Sequence, residues 1–148
     1  MLTVADVLAR GYERAAELDA VCEEVTDTIG IPVCVVSILQ GETQYFVASH
    51  GTTLLSSALA DSACQRTVQR SLPTIIADAL AHPRFCQSIL VSEEPKIRFY
   101  AGARLALDGG MYPGAVAVLD FKPRTAFMLR DADPLVAAAQ KVSAIIAN

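Results

Sequence analysis

Apolar residues recur at steps of three and four from Val4 through Val7, Leu8, Gly11, Tyr12, Ala15, Leu18, Val21, Cys22 and Val25 to Ile29, a period that only a helix can put on one face. It predicts one long amphipathic helix over residues 1–30, ended by Gly30 and Pro32. The other terminus mirrors it. Asp133 stands at an N-cap position, Pro134 suits the first turn, and Leu135, Val136, Ala139, Val142, Ile145 and Ile146 form a stripe, so a second helix is expected over 131–147. Whatever lies between two such helices must offer them an apolar face.

Residues 31–122 carry strand and turn signals instead. Val33 to Leu39 is β-branched and apolar, Gly41 centres a turn, and Thr43 to Ser49 returns with Tyr45, Phe46 and Val47, which together read as a hairpin. His50 to Ala60 reads as a loop. Asp61 or Ser62 can cap a short helix running to about Arg70, and Leu72 to Ala77 follows as a strand whose Pro73 places its start near an edge. Asp78 to Glu94 reads as a loop with one short helix. Ile97 to Leu107 and Gly114 to Phe121 are two more strands, joined through Asp108, Gly109 and Gly110. Short connections favour antiparallel neighbours. The expected class is α+β: a central antiparallel sheet of five to six strands, with the N- and C-terminal helices packed on one face. At 148 residues, positions 1–148 suit a single domain.

Bulk properties exclude several functions. The longest stretch without a formal charge, residues 43–60, is interrupted by Gln44, His50, Gly51 and several Ser and Thr residues, so no membrane span is expected. Charges break up the N-terminal apolar residues, which argues against a signal peptide and for a cytoplasmic location. A net charge of −4 with scattered Lys and Arg gives no field for nucleic acid. Cys22, Cys34, Cys64 and Cys86 match neither zinc spacing nor a disulfide scaffold, and His50 and His82 have no metal-ligand partner at a spacing such as HExxH. No metal site is expected, and no GxSxG, P-loop, GxGxxG or acid–base carboxylate pair suggests catalysis.

The run DSACQRTVQRSLPTIIADALAHPRFCQSILVSEEPKIRFYAGARLAL, followed by GGMYPGAVAVLDFKPR, resembles the GAF domains of bacterial sensor kinases and cyclic-di-nucleotide signalling enzymes. The shared pieces, in order, are Cys64 on a short helix, a strand ending in Asp78, the Pro83, Arg84, Phe85 element, the strand Ile97 to Gly102, and Gly114 to Asp120. Where the family commonly has Asp before the PRF element this chain has His82, and Arg104 stands where Pro is common. The resemblance implies a sheet with a ligand pocket, covered by loops and a short helix, on the face away from the terminal helices. It also implies signalling through those helices.

Alternation along the fifth strand puts Ile97, Phe99, Ala101, Ala103 and Leu105 on one face, under the helices, and Arg98, Tyr100, Gly102 and Arg104 on the other. Arg98, Tyr100 and Arg104 are thus candidate ligand residues, joined by Asp78, Phe85 and Cys64 in the covering segment. Arg can grip a carboxylate or phosphate, Tyr offers a face and a hydroxyl, and Gly102 leaves room for an approaching group. Arg98 could instead pair with Asp78 or Asp120 and anchor the loop carrying Phe85. Cys64, just after a helix cap, could be a reactive thiol or a small buried residue. Cys86, in a loop, is a candidate redox thiol.

Three functions remain open: a sensory domain binding an unidentified small molecule, a ligand-free module that dimerises through its terminal helices, and a thiol enzyme akin to the GAF-like reductases of free methionine sulfoxide. The apolar stripe of about 26 residues from Val4 to Ile29 is longer than one small sheet needs to cover, which motivates the homodimer. A downstream signalling domain or protein is the expected output partner, and no cofactor is identified.

Overall fold

The computed structural model describes residues 2–59 and 62–148. The N-terminal stripe forms two helices, α1 (Val4–Glu13) and α2 (Ala15–Ile29), where one was expected. Arg14 departs from helical geometry (φ −105°, ψ 20°) and its guanidinium pairs with Glu17. Periodicity survives a one-residue break, so the sequence does not reveal it. Thr3 closes a capping box with Asp6 at the start of α1, and Gly30, left-handed at φ 78°, ends α2.

The strands are β1 (Val33–Gln40), β2 (Thr43–His50), β3 (Ser56–Ala58), β4 (Thr74–Ile76), β5 (Phe99–Arg104) and β6 (Gly114–Asp120). They form one antiparallel sheet in the order β3-β2-β1-β6-β5-β4. The expected α+β class and strand number stand, and β3 appears inside what reads as a loop. Its short polar sequence, Ser56–Ser57–Ala58, suits an exposed edge and carries no strand signal. A bulge between Val36 and Ser37 leaves Val47 unpaired, so Val47 and Ala48 both face the helices.

Helices α1, α2 and α5 (Asp133–Ala147) cover one face of the sheet. Val7, Leu18, Val21, Cys22, Val25, Leu135, Val142 and Ile146 are buried there against Cys34, Val36, Phe99, Ala101, Val116 and Val118. Most of the long stripe is therefore taken up by this sheet and by α5, with Tyr12 left exposed, so its length alone does not call for a second copy. Arg10 donates to the carbonyls of Ile146 and Ala147, tying α1 to the C-terminal end of α5. Asp133 is the first residue of α5 and not its cap, because a 3-10 turn at Leu129–Ala132 runs straight into the helix.

The opposite face is covered by α3 (Ala63–Thr67), two 3-10 turns at Ala79–Ala81 and Phe85–Gln87, and α4 (Ile89–Ser92). The Ser62 hydroxyl caps α3, while Asp61 lies outside the described residues. No described helix is long and apolar enough to cross a membrane.

Candidate functional site

Between the sheet and this cover lies a chamber lined by Val35, Gln44, Phe46, Ser62, Ala63, Cys64, Phe85, Leu90, Ile97, Tyr100 and Leu119, with a free volume of about 10 Å³. That is space for at most one water. Two rings fill it: Phe85 and Tyr100 meet edge to face with centroids 6.1 Å apart. The Tyr100 hydroxyl is 2.7 Å from the Thr67 hydroxyl and 3.4 Å from the Cys64 sulfur. Thr67 spends its own proton on the Ala63 carbonyl, so Tyr100 donates to Thr67.

Gly102 was expected to leave room for a ligand, and that room is occupied by Tyr100. The tyrosine leans along its own strand until its hydroxyl sits where a Gly102 side chain would begin. Burial, with Cys64 alongside, pushes the phenol well above its ordinary range, which keeps it a neutral donor.

Cys64 is sealed in the same wall. Ser37 and Tyr100 approach its sulfur and Ser62 caps its N–H, but burial outweighs these and raises the thiol pKa. The helix start does not make it a ready thiolate, because α3 has five residues and the side chain is buried. The other polar element of the wall, Gln44, donates to Ser57 and accepts from Ser62, linking the edge strand to the start of α3.

The remaining candidates disperse. Arg98 pairs with neither Asp78 nor Asp120; its Nη1 donates to the carbonyls of Val91 and Ile97, fixing the turn after α4. Its bonds hold the backbone of the covering segment through partners other than the two carboxylates expected. Asp78 caps the first 3-10 turn through Leu80 N–H. Asp120 instead holds Arg124, which reaches the Gly30 carbonyl at the end of α2.

Arg104 does not converge with Tyr100. Its guanidinium stacks on Tyr112, 3.6 Å from the ring centroid, in a groove of about 540 Å³ beside Val136, Gln140 and Ser143 of α5. The reason is that β4 pairs only as far as Gly102, so beyond it the edge of β5 is open. Ile97 also leaves its expected face and joins the chamber wall, because it precedes the first paired residue, Phe99. Cys86 is half-buried, with its thiol 3.8 Å from the Pro83 carbonyl. Among the described residues, no group of three or more His, Cys, Asp or Glu is placed to hold a metal ion.

Outside the chamber, across the wall made by Ser62, Ala63 and Phe85, is an open cleft of about 180 Å³ lined also by Gln65, Arg66, Gln69, Ile76, His82 and Arg84. Arg66 and His82 were not singled out from sequence as a pair. Sixteen residues apart, they carry no spacing signal.

The model of the GAF domain family matches residues 13–148. A cyclic di-GMP phosphodiesterase of Pseudomonas aeruginosa is 37% identical over 117 residues, covering 76% of this chain. The chain spans about a fifth of that relative, 20% of its length. Among solved structures, the GAF domain of a phosphoenolpyruvate-protein phosphotransferase from Acinetobacter superposes with a TM-score of 0.73 at 22% identity, over 97% of this chain and 92% of that one. A type II free methionine-R-sulfoxide reductase from Thermoplasma acidophilum gives 0.74 at 15% identity, over 93% and 94%. At such identities these two speak for the fold alone.

Proposed function

The chain belongs to the GAF domain family, and from that premise we propose that it is a sensory, regulatory module whose small-molecule site is the chamber closed by Phe85 and Tyr100. The observation that carries this is the position of β5. Tyr100 points into the chamber, while its neighbours Phe99 and Ala101 are packed in the core shared with α1, α2 and α5. A ligand that displaces the Tyr100 ring acts on the strand supporting the terminal helices, and its preference for the opened arrangement sets how far those helices respond.

A regulatory role also agrees with a signalling relative at 37% identity. The sulfoxide-reductase reading is the weaker one. It needs an attacking thiolate, and burial raises the thiol pKa of Cys64, the cysteine that lines the chamber. Native mass spectrometry of the chain purified from its own cells tests the proposal. The expected result is a copurifying small molecule that is released on unfolding and missing from Leu90→Trp, a position that lines the chamber and not the outer cleft. A bare wild-type mass, or an adduct retained by that variant, contradicts it.

A further inference from the structure

The open cleft beside α3 brings two hydrogen-bond donors within 3.4 Å of each other. The His82 Nδ1 accepts the backbone N–H groups of Arg84 at 3.2 Å and Phe85 at 2.9 Å. An imidazole nitrogen that accepts has no proton, so in the neutral ring the proton is on Nε2. That Nε2 lies 3.4 Å from Nη1 of Arg66. Two N–H donors therefore crowd one another, with no acceptor shared between them among the described residues, and an acceptor entering the open cleft from one side can take both.

The surroundings specify the acceptor. Arg66 puts a positive charge on the cleft wall, Gln65 and Gln69 add amide groups, and none of the described lining residues is acidic although the chain carries a net charge of −4. Four other half-buried arginines have oxygens on their guanidinium groups, Arg10 from Ile146 and Ala147, Arg14 from Glu17, Arg98 from Val91 and Ile97, and Arg124 from Asp120 and Gly30, while Arg104 stacks on Tyr112. Arg66 meets the His82 ring instead.

We propose that the Arg66–His82 cleft is a binding site for a small oxyanion, a phosphate or carboxylate group, with one oxygen accepting from both Arg66 Nη1 and His82 Nε2. The guanidinium supplies charge and a second N–H for bidentate contact, and the ring supplies direction, because its backbone bonds fix the tautomer. This site is separate from the inner chamber, and its test does not depend on the chamber being occupied.

The test is a titration of the whole chain at constant ionic strength with inorganic phosphate, with acetate, and with chloride as the control, followed through the His82 ring nitrogens by NMR. Saturable shifts at Nε2 with phosphate or acetate, beyond those with chloride, are expected. Stronger binding of phosphate assigns a phosphoryl ligand, and equal or stronger binding of acetate assigns a carboxylate. Arg66→Gln should weaken the binding roughly tenfold or more, the loss typical of one charged hydrogen bond. His82→Asp keeps an acceptor for the loop N–H groups but puts a negative charge in the cleft, so it should melt near wild type and lose the phosphate-dependent thermal shift. Shifts no larger than those with chloride, or phosphate binding undiminished in Arg66→Gln, would overturn the assignment.

Discussion

Tyr100 and Gly102 are neighbours on one face of β5, and the tyrosine hydroxyl occupies the space a Gly102 side chain would need. Gly102→Ala must push a fully buried ring off its bond to Thr67. A cost of about 1–3 kcal/mol is expected from urea unfolding. Tyr100→Phe alone should cost about 1 kcal/mol for the lost hydroxyl bond. The double variant should cost less than the sum, because the atom that clashes first is gone; strict additivity would mean the two positions do not share this space.

Asp120 is 3% exposed and bonds both the Phe121 N–H and Arg124, which in turn reaches the Gly30 carbonyl. Arg124→Ala leaves that carboxylate buried with its charged partner removed and should cost about 3 kcal/mol. Thermal or denaturant unfolding reads this directly. A loss below about 0.5 kcal/mol would place the pair with ordinary surface ion pairs.

His82 gives the fold a predictable response to acid. Burial, then the charges of Arg66 and Arg84, hold its pKa below the ordinary histidine value, so the neutral ring is the folded form. The sign follows. Stability from this ring is complete above about pH 6.5 and is lost as the pH falls through the lower folded value, when Nδ1 gains a proton and releases the Arg84 and Phe85 N–H groups. Denaturation midpoints followed from neutral to mildly acid pH should fall more steeply for wild type than for His82→Asn, whose amide oxygen can still accept. Parallel profiles would remove His82 from this role.

The four thiols should separate by reactivity. Cys22, Cys34 and Cys64 are buried and Cys86 is half-buried. Burial raises the Cys64 pKa, and the Cys22 thiol and burial together raise that of Cys34. A thiol reagent should modify Cys86 first, and the other three only on unfolding. Rapid labelling of Cys64 in the native protein would instead reveal a chamber that opens readily.

Local pattern gave most elements their type but not their ends or companions, and it missed β3. Alternation placed Phe99, Ala101, Ala103 and Leu105 correctly under the helices. It failed at Ile97 and Arg104, since both lie where a neighbouring strand stops pairing and side-chain direction is set by tertiary contact. Helical period could not see the break at Arg14. His82, where the family commonly has Asp, looked like a departure, yet it supplies the acceptor for the Arg84 and Phe85 N–H groups. Chemically the substitution is half conservative: the acceptor is kept, and a donor is added facing Arg66. The chamber itself was the least legible feature. Its closure depends on how far Tyr100 leans, which no residue type encodes.

Strand β5 carries the central claim, because it holds Tyr100 in the chamber and Phe99 and Ala101 among the terminal helices. Hydrogen–deuterium exchange of the chain with the proposed chamber ligand bound and then removed measures both sides at once. Coupling predicts that removal changes protection in residues 62–92, over the chamber, and in α5 together. A change confined to residues 62–92, with α5 exchanging identically in both states, would contradict a regulatory module that signals through its helices.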